Sequence, residues 1–443
     1  MNTLQFFSDI VAAQKKGSPA GVCSVCSAHP AVVDAALLHA KRLGLPVLIE
    51  STVNQVNQLG GYTGMAPRDF CAFILSRAGS AGFPPERIIL GGDHLGPYPW
   101  RSRRSPEAMT LSRELVVACI HAGYAKIHLD ASMPLAGDAL DGEGALDPRL
   151  AAQREAELAQ AAEAAFQDYQ KVHPSSAPPV YVIGTEVPAP GGIASGHEGA
   201  VVTGSRELER TVSLCKEEFL RRGLADGWGR VVACVAQPGV EYGDGTVQRY
   251  DREKAAPLCR TARATPGLVI EGHSTDYQSG ASLRRLVEDG VAIVKVGPAL
   301  TFAMRECLFS LELIEKELVF SLGSGQSLSS LSETLDAAMR EDPTHWAGYY
   351  TGTEEQKRLS RRYSFSDRSR YYWTAPAVQE SRGVLMRNLA RSGIPLPLLS
   401  QHLPLQYRRV IEGRCALDPE SLVRESVIMV LEDYTSAATP GKL

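Results

Sequence analysis

No apolar run in this chain approaches the ~20 residues that span a bilayer, and the amino-terminal stretch MNTLQFFSDIVAAQKKGSPAG lacks the basic-then-apolar layout of a secretory leader. Neither sign of charge prevails. The 46 basic and 50 acidic residues leave a net charge of -4, which excludes the strongly basic surface that nucleic acid or an anionic membrane selects. Two short basic runs, Arg101, Arg103 and Arg104, then Arg358, Arg361 and Arg362, read as solvated faces. The nine cysteines are odd in number and scattered, so the expectation is reduced, buried thiols in the cytoplasm. Cys23 and Cys26 form a C-x-x-C, but alternation along an apolar run sends them to opposite faces, a poor arrangement for a dithiol or zinc pair. No G-x-G-x-x-G follows the first apolar run, which removes the main signature of a doubly wound dinucleotide-binding sheet.

What is present is one unit repeated eight times. Short β-branched runs span 21–27, 46–51, 87–94, 125–130, 180–186, 230–237, 267–273 and 292–296, with amphipathic helical stretches between them. The first helix shows the grammar of the rest, with Pro30 in its first turn and Gly44 past its end. Short apolar runs bounded by Gly, Pro or charge suit parallel strands buried on both faces. Eight βα units predict closure into a (β/α)8 TIM barrel. A long Ala-rich helix with Asp147 as N-cap and Pro148 at its first position follows the fourth run. After a closing helix near 300–318, the Ser/Gly-rich stretch 321–330 is a candidate junction. Beyond it the pattern is helical and rich in Tyr and Trp. The expected organisation is a barrel over 1–320 and a C-terminal helical subdomain over 321–443, lying against the barrel or a partner.

Glu50, Asp93, His94, Asp130, Glu186, Gln237 and His273 all fall at the C-terminal ends of their runs. In a barrel that places them in one ring at the mouth where chemistry occurs. Asp93 beside His94 suits a proton-transferring carboxylate next to a metal-binding imidazole. His94, Glu186 and His273 form an acceptable nitrogen-and-oxygen set for a divalent metal. Glu271 and His273 are two apart and share a strand face. Ser274 and Thr275 offer hydroxyls where such barrels often bind phosphate, and Gly297 follows the eighth run. His29 ends the first run and is a candidate for the mouth. His128, inside the fourth run, reads as core or a helix-facing contact. Lys295 reads as a lysine paired to a carboxylate within the barrel rather than a Schiff-base amine.

Seven ordered motifs resemble one family: Ser27-Ala-His-Pro30, Gly92-Asp-His-Leu-Gly-Pro97, Leu129-Asp-Ala-Ser132, Gly184-Thr-Glu-Val-Pro188, Gln237-Pro-Gly-Val-Glu241, Gly272-His-Ser-Thr-Asp-Tyr-Gln278 and Lys295-Val-Gly-Pro-Ala-Leu-Thr301. They resemble the Z-type subunit of D-tagatose-1,6-bisphosphate aldolase, the GatZ/KbaZ family, and the resemblance runs into the tail through Tyr363-Ser-Phe-Ser-Asp-Arg-Ser-Arg-Tyr-Tyr-Trp373. The resemblance implies a fold related to class II aldolases, in which a third-strand aspartate moves protons and the following histidine holds zinc; Asp93 and His94 match that pair. It implies catalytic roles for Asp93, Asp130 and Glu186, and substrate contacts from His29, Glu50, Ser132, Gln237, Glu271, Ser274, Thr275 and Gly297. The chain departs from the aldolase pattern at two places. Gln237-Pro-Gly239 stands where the sixth strand supplies a zinc histidine, and Glu271 stands where the seventh-strand ligand is expected, so His273 substitutes only through a shifted register.

The resemblance therefore implies an accessory subunit, supporting a zinc-bearing Y-type aldolase subunit in tagatose, galactitol or amino-sugar breakdown, in an oligomer and with a pocket for a small phosphorylated ketose. The alternative is a metal-dependent ketohexose-phosphate 4-epimerase. Family members have also been labelled tagatose-6-phosphate kinases, but this chain has no G-x-x-x-x-G-K-[ST] loop.

Overall fold

A computed structural model describes residues 2–142, 144–185, 200–321 and 327–439. The Glu186 position and residues 322–326 of the 321–330 junction lie outside the described residues. Eight parallel strands close into a barrel: β1 (Val22–Cys26), β2 (Val47–Thr52), β3 (Ile88–Leu95), β4 (Lys126–Leu129), β5 (Val180–Ile183), β6 (Val231–Val235), β7 (Val269–Gly272) and β8 (Val291–Val296). Each strand pairs with its sequence neighbours, and β1 against β8, in register from Val22↔Ile293 to Val25↔Val296, closes the ring. The apolar runs thus form the eight barrel strands, several of them shorter than the runs themselves.

Local chemistry explains the helices between them. Pro30–Leu43 begins with a proline whose missing N–H is not needed there, its N-cap His29 accepts from Ala31 N–H, and Gly44 ends it at φ 63°. Asp147 caps Pro148–Val172 by accepting from Arg149 N–H at 2.9 Å. The helix Thr3–Lys15 puts Phe7, Ile10 and Val11 against Val22, Leu48, Ile89, Val182 and Ile293, stoppering the N-terminal end of the barrel with apolar side chains.

Residues after 327 form helices Leu331–Glu341, Glu354–Tyr363, Pro376–Ser392, Leu396–His402, Pro404–Ile411 and Pro419–Ala438. Between these helices Trp346, Tyr350, Tyr372 and Trp373 are buried in the same apolar cluster as the outer faces of the strands. The last helix joins the barrel wall, packing on Pro30–Leu43, Gly280–Glu288 and Pro298–Glu317. Its Tyr434 hydroxyl donates to the Thr275 carbonyl at 2.6 Å, and Gly21 N–H donates to Ala438 at 2.9 Å. A staple holds the segment around residue 367 over the C-terminal mouth: the Asp367 carboxylate accepts from Thr301 Oγ1 (2.6 Å) and Arg305 Nε (3.1 Å) of the Pro298–Glu317 helix. No helix among the described residues is long and apolar enough to cross a membrane.

Candidate functional site

Period-two alternation builds the site. On β4, Lys126 and His128 face inward; Glu50 on β2, Asp93 on β3, Glu271 on β7 and Lys295 on β8 meet them there, and all six are buried. Gly91 makes the room, because a Cβ there would lie 2.8 Å from Glu50 Cγ. Lys126 Nζ lies 2.5 Å from Glu50 Oε1 and 2.7 Å from Glu271 Oε2. Lys295 Nζ contacts Glu50 (2.6 Å), Asp93 (2.6 Å) and Glu271 (3.0 Å). Burial alone would lower the Lys295 pKa, but the carboxylates of Asp93, Glu271 and Glu50 outweigh it and hold it well above the ordinary lysine range. A charged ammonium is no nucleophile, so Lys295 is the paired barrel lysine rather than a Schiff-base amine.

Above this ionic layer stand three imidazoles. Ring centroids of His94, His128 and His273 are 4.8 to 5.1 Å apart, and each ring is tied to one carboxylate. His94 Nδ1 meets Asp130 Oδ2 at 2.7 Å, His128 Nδ1 meets Asp93 Oδ1 at 2.8 Å, and His273 Nε2 meets Glu271 Oε1 at 3.0 Å. His128 Nδ1 also lies 3.1 Å from His94 N–H. One nitrogen cannot both donate to Asp93 and accept there, and the charge-assisted contact is the stronger. The buried His128 Nε2 has no hydrogen-bond partner among the described residues. Ser132 holds Asp130 in turn, its hydroxyl donating at 2.7 Å. His94 adopts φ 51° and Ser274 φ 53°, sparsely populated backbone for side-chain-bearing residues, at the ends of β3 and β7.

The charges set the protonation states. Burial would raise the Asp93 pKa, but His94, Lys295 and His128 hold it well below the carboxylate range. Burial would likewise raise Asp130, yet its bond to His94 brings it to about 2. His94 is raised because Asp93 and Asp130 overcome its desolvation, whereas desolvation and Lys295 push His273 down to about 3 despite Glu271.

A divalent ion fits this donor set. Ligand atoms of Asp93, His128, Glu271 and His273 all lie within 4.8 Å of one another. Carboxylate-anchored imidazoles are the usual second support of metal-binding histidines, and the buried His128 Nε2, without a hydrogen-bond partner among the described residues, is placed to serve as a ligand. The His94 and His273 rings lie 4.8 Å apart, but the ligand cluster contains His273 without His94, and His128 stands in its place.

Asp93, His94, His273 and Lys295 form the floor of a cavity of about 310 Å³ at the C-terminal mouth, walled by His29, Tyr62, Ser274, Asp276, Gly297 and Thr301, and by Arg370, Tyr371 and Trp373 from the tail. His29 thus reaches the mouth. Glu50 and Glu271 sit beneath it in the lysine layer. Thr275 is fully buried, its hydroxyl donating to the Lys295 carbonyl. Ser132 serves Asp130, and Gln237 turns its side-chain oxygen back to accept from Gly239 and Val240 N–H. The sequence reading gave no role to Lys126 or Arg370 and put His128 in the core or against a helix, whereas His128 turns into the barrel to meet Asp93. Lys126 and His128 were detectable from the polar–apolar alternation Lys126-Ile-His-Leu129; Arg370 had no local signal.

A family model described as D-tagatose-1,6-bisphosphate aldolase subunit GatZ/KbaZ-like matches residues 7–439. The chain is 44% identical over 432 residues to the D-tagatose-1,6-bisphosphate aldolase subunit GatZ of Salmonella dublin, covering 98% of this chain and 99% of that protein. The same figures hold for GatZ of Salmonella typhimurium. A solved structure titled a probable tagatose 6 phosphate kinase from Sinorhizobium meliloti 1021 is similar with a TM-score of 0.84 and 43% identity, over 94% of this chain and 100% of that one.

Proposed function

The chain belongs to the GatZ/KbaZ-like family of D-tagatose-1,6-bisphosphate aldolase subunits, and we propose that it is an accessory subunit of such an aldolase that keeps its own sugar-phosphate cavity. In this reading it supports the activity and stability of a zinc-bearing Y-type subunit in the cytoplasm, in tagatose, galactitol or amino-sugar breakdown. The observation that carries it is coverage: 44% identity runs over 98% of this chain and 99% of the named subunit, so barrel and tail are shared together. Mixing the two purified subunits tests it. Cleavage of tagatose 1,6-bisphosphate by the Y-type subunit rises, and its activity survives heating longer, when this chain is present; an unchanged rate and unchanged lifetime would refute the role. The kinase name of the Sinorhizobium structure does not transfer, because the sequence has no glycine-rich loop ending in Lys-Ser or Lys-Thr to hold a nucleotide triphosphate.

A second reading, a metal-dependent ketohexose-phosphate 4-epimerase, is favoured by the three carboxylate-anchored imidazoles under the cavity. His128, His273 and Glu271 of the buried ligand cluster would hold the ion, with His94, and Glu186 from outside the described residues, as the further ligands expected from sequence. When bound, the metal would act as a Lewis acid toward the ketose oxygens. Inversion at C4 by breaking and remaking the C3–C4 bond needs one group to take the C4 hydroxyl proton and return it. Asp93 has that role, kept ionised by its cationic neighbours and hence an acceptor. The Lys295 ammonium, 2.6 Å from Asp93, supplies positive charge for the anion that forms. Asp130, through His94, positions rather than reacts. The protein alone, given tagatose 6-phosphate and a panel of divalent ions, yields fructose 6-phosphate, and Asp93→Ala lowers that rate by roughly 100-fold or more. No turnover with any ion leaves only the accessory role.

A further inference from the structure

A phosphorylated ketose needs a cation or a set of N–H groups for its phosphate. Barrels of this kind usually supply them from the loops after the seventh and eighth strands and the helix amino terminus beside them. Here that position is filled from within. Asp276, in the loop after β7, accepts from the N–H groups of Gly297 (3.0 Å) and Ala299 (2.8 Å) at the start of the Pro298–Glu317 helix. A carboxylate thus sits where phosphate oxygens would, and it repels them. The Thr275 hydroxyl is committed to a carbonyl. Lys295, a cation on the same cavity wall, is surrounded by three carboxylates.

Arg370 differs in each respect. It lines the cavity from the tail, and among the described residues its hydrogen bonds go to neutral acceptors. Nη1 donates to the carbonyls of Ser366 and Asp367, and Nη2 donates to the Tyr371 hydroxyl at 2.9 Å. Its Cζ lies 4.5 Å from the Tyr371 ring centroid, which fixes the plane of the fork. Among the described residues no carboxylate is joined to it as a hydrogen-bond or ion-pair partner. A guanidinium held in orientation and facing a cavity, with the carboxylates of Asp276 and Asp367 near enough to act on its charge but not hydrogen-bonded to it, keeps donors for a phosphate.

We infer that Arg370 is the phosphate-binding group of this cavity, taking the terminal phosphate of a ketohexose phosphate in place of the barrel loops that Asp276 has closed to anions. The inference rests on the sugar-phosphate reading above, and it gives the C-terminal region a direct part in recognition. The barrel floor meets the sugar while the tail selects its phosphorylated form.

Calorimetric binding to the full chain separates the two claims, with inorganic phosphate, tagatose and tagatose 6-phosphate as probes. Inorganic phosphate binds the wild type and competes with tagatose 6-phosphate. Arg370→Gln weakens both phosphate-bearing probes roughly 10- to 100-fold and leaves tagatose unchanged, while Arg370→Lys recovers part of the loss. Because Arg370 also ties the 366–367 backbone, the Lys variant, which keeps the charge, guards against a folding defect: equal losses in both variants, with tagatose binding lost too, would overturn the assignment. Undiminished phosphate binding in Arg370→Gln overturns it as well, with the sugar-phosphate cavity intact. Phosphate bound at Arg370 without any preference for tagatose 6-phosphate over tagatose upholds the anion site and instead removes the sugar-phosphate reading.

Discussion

The two ends of the barrel interior are filled by opposite chemistry on the same eight strands. At the N-terminal end Phe7, Ile10, Val22, Leu48, Ile89, Val182 and Ile293 interdigitate as an apolar plug. Two residues further along several of those strands, Leu48 gives way to Glu50 and Ile293 to Lys295, and a buried lattice of carboxylates, lysines and imidazoles takes over. The apolar end stabilises by removing surface from water and asks little of its neighbours. The ionic end holds only because each charge has a partner, since desolvating an ion costs several kcal/mol before pairing returns it. Equal burial therefore carries unequal risk. The plug serves the fold, and the lattice costs stability that only a function of the mouth explains.

The largest effect expected from this contrast comes from removing one lysine. Lys126→Met leaves Glu50 and Glu271 buried with half their counter-charge, and unfolding stability should fall by ~3–5 kcal/mol in urea titrations at neutral pH. A loss under ~1 kcal/mol would mean that the carboxylates take up protons without penalty, and the lattice would then be no costlier than the plug. Truncation at the other end is milder. Leu48→Ala should cost ~2–4 kcal/mol through lost contacts and a cavity, while leaving the affinity for tagatose 6-phosphate untouched. If affinity fell in step with stability, the two ends would not be separable.

Much of this was legible in the sequence, for reasons that also mark where legibility stopped. The strands were visible because an apolar run ending in charge has few other uses, and Asp93, His94 and His273 followed from those ends. His128 and Lys126 escaped because they lie inside a run rather than at its end. Only the inward orientation of alternate residues in a closed barrel turns them from core into site. Gln237 ends its run as the others do, yet it closes its own loop, a choice set by the local Pro-Gly turn. Arg370 lies far along the chain from the strands it serves. Its place over the mouth depends on the Asp367 staple and the docking of the tail, both long-range contacts that no local pattern reports.

The sharpest version of the contrast sets one buried carboxylate against another. Glu50 and Glu155 are equally buried, but Glu50 has two lysines. Glu155, on the Pro148–Val172 helix outside the barrel, is met by the Cys215 thiol at 3.4 Å, and its Oε1 has no hydrogen-bond partner among the described residues. Burial pushes its carboxyl up to about 8. The folded protein therefore holds a proton there that the unfolded chain releases near its ordinary value of 4.5. The stability this proton contributes is complete below pH ~4.5 and is lost as pH rises toward 8. Glu155→Gln removes the titration, so its melting temperature relative to wild type should climb between pH 5 and pH 8. The gain is the smallest of the three effects, on the order of 1 kcal/mol once water entering beside the ionised group is allowed for. A difference that stays flat with pH would mean that Glu155 is ionised at neutrality, and that burial without a lysine is tolerated in this protein.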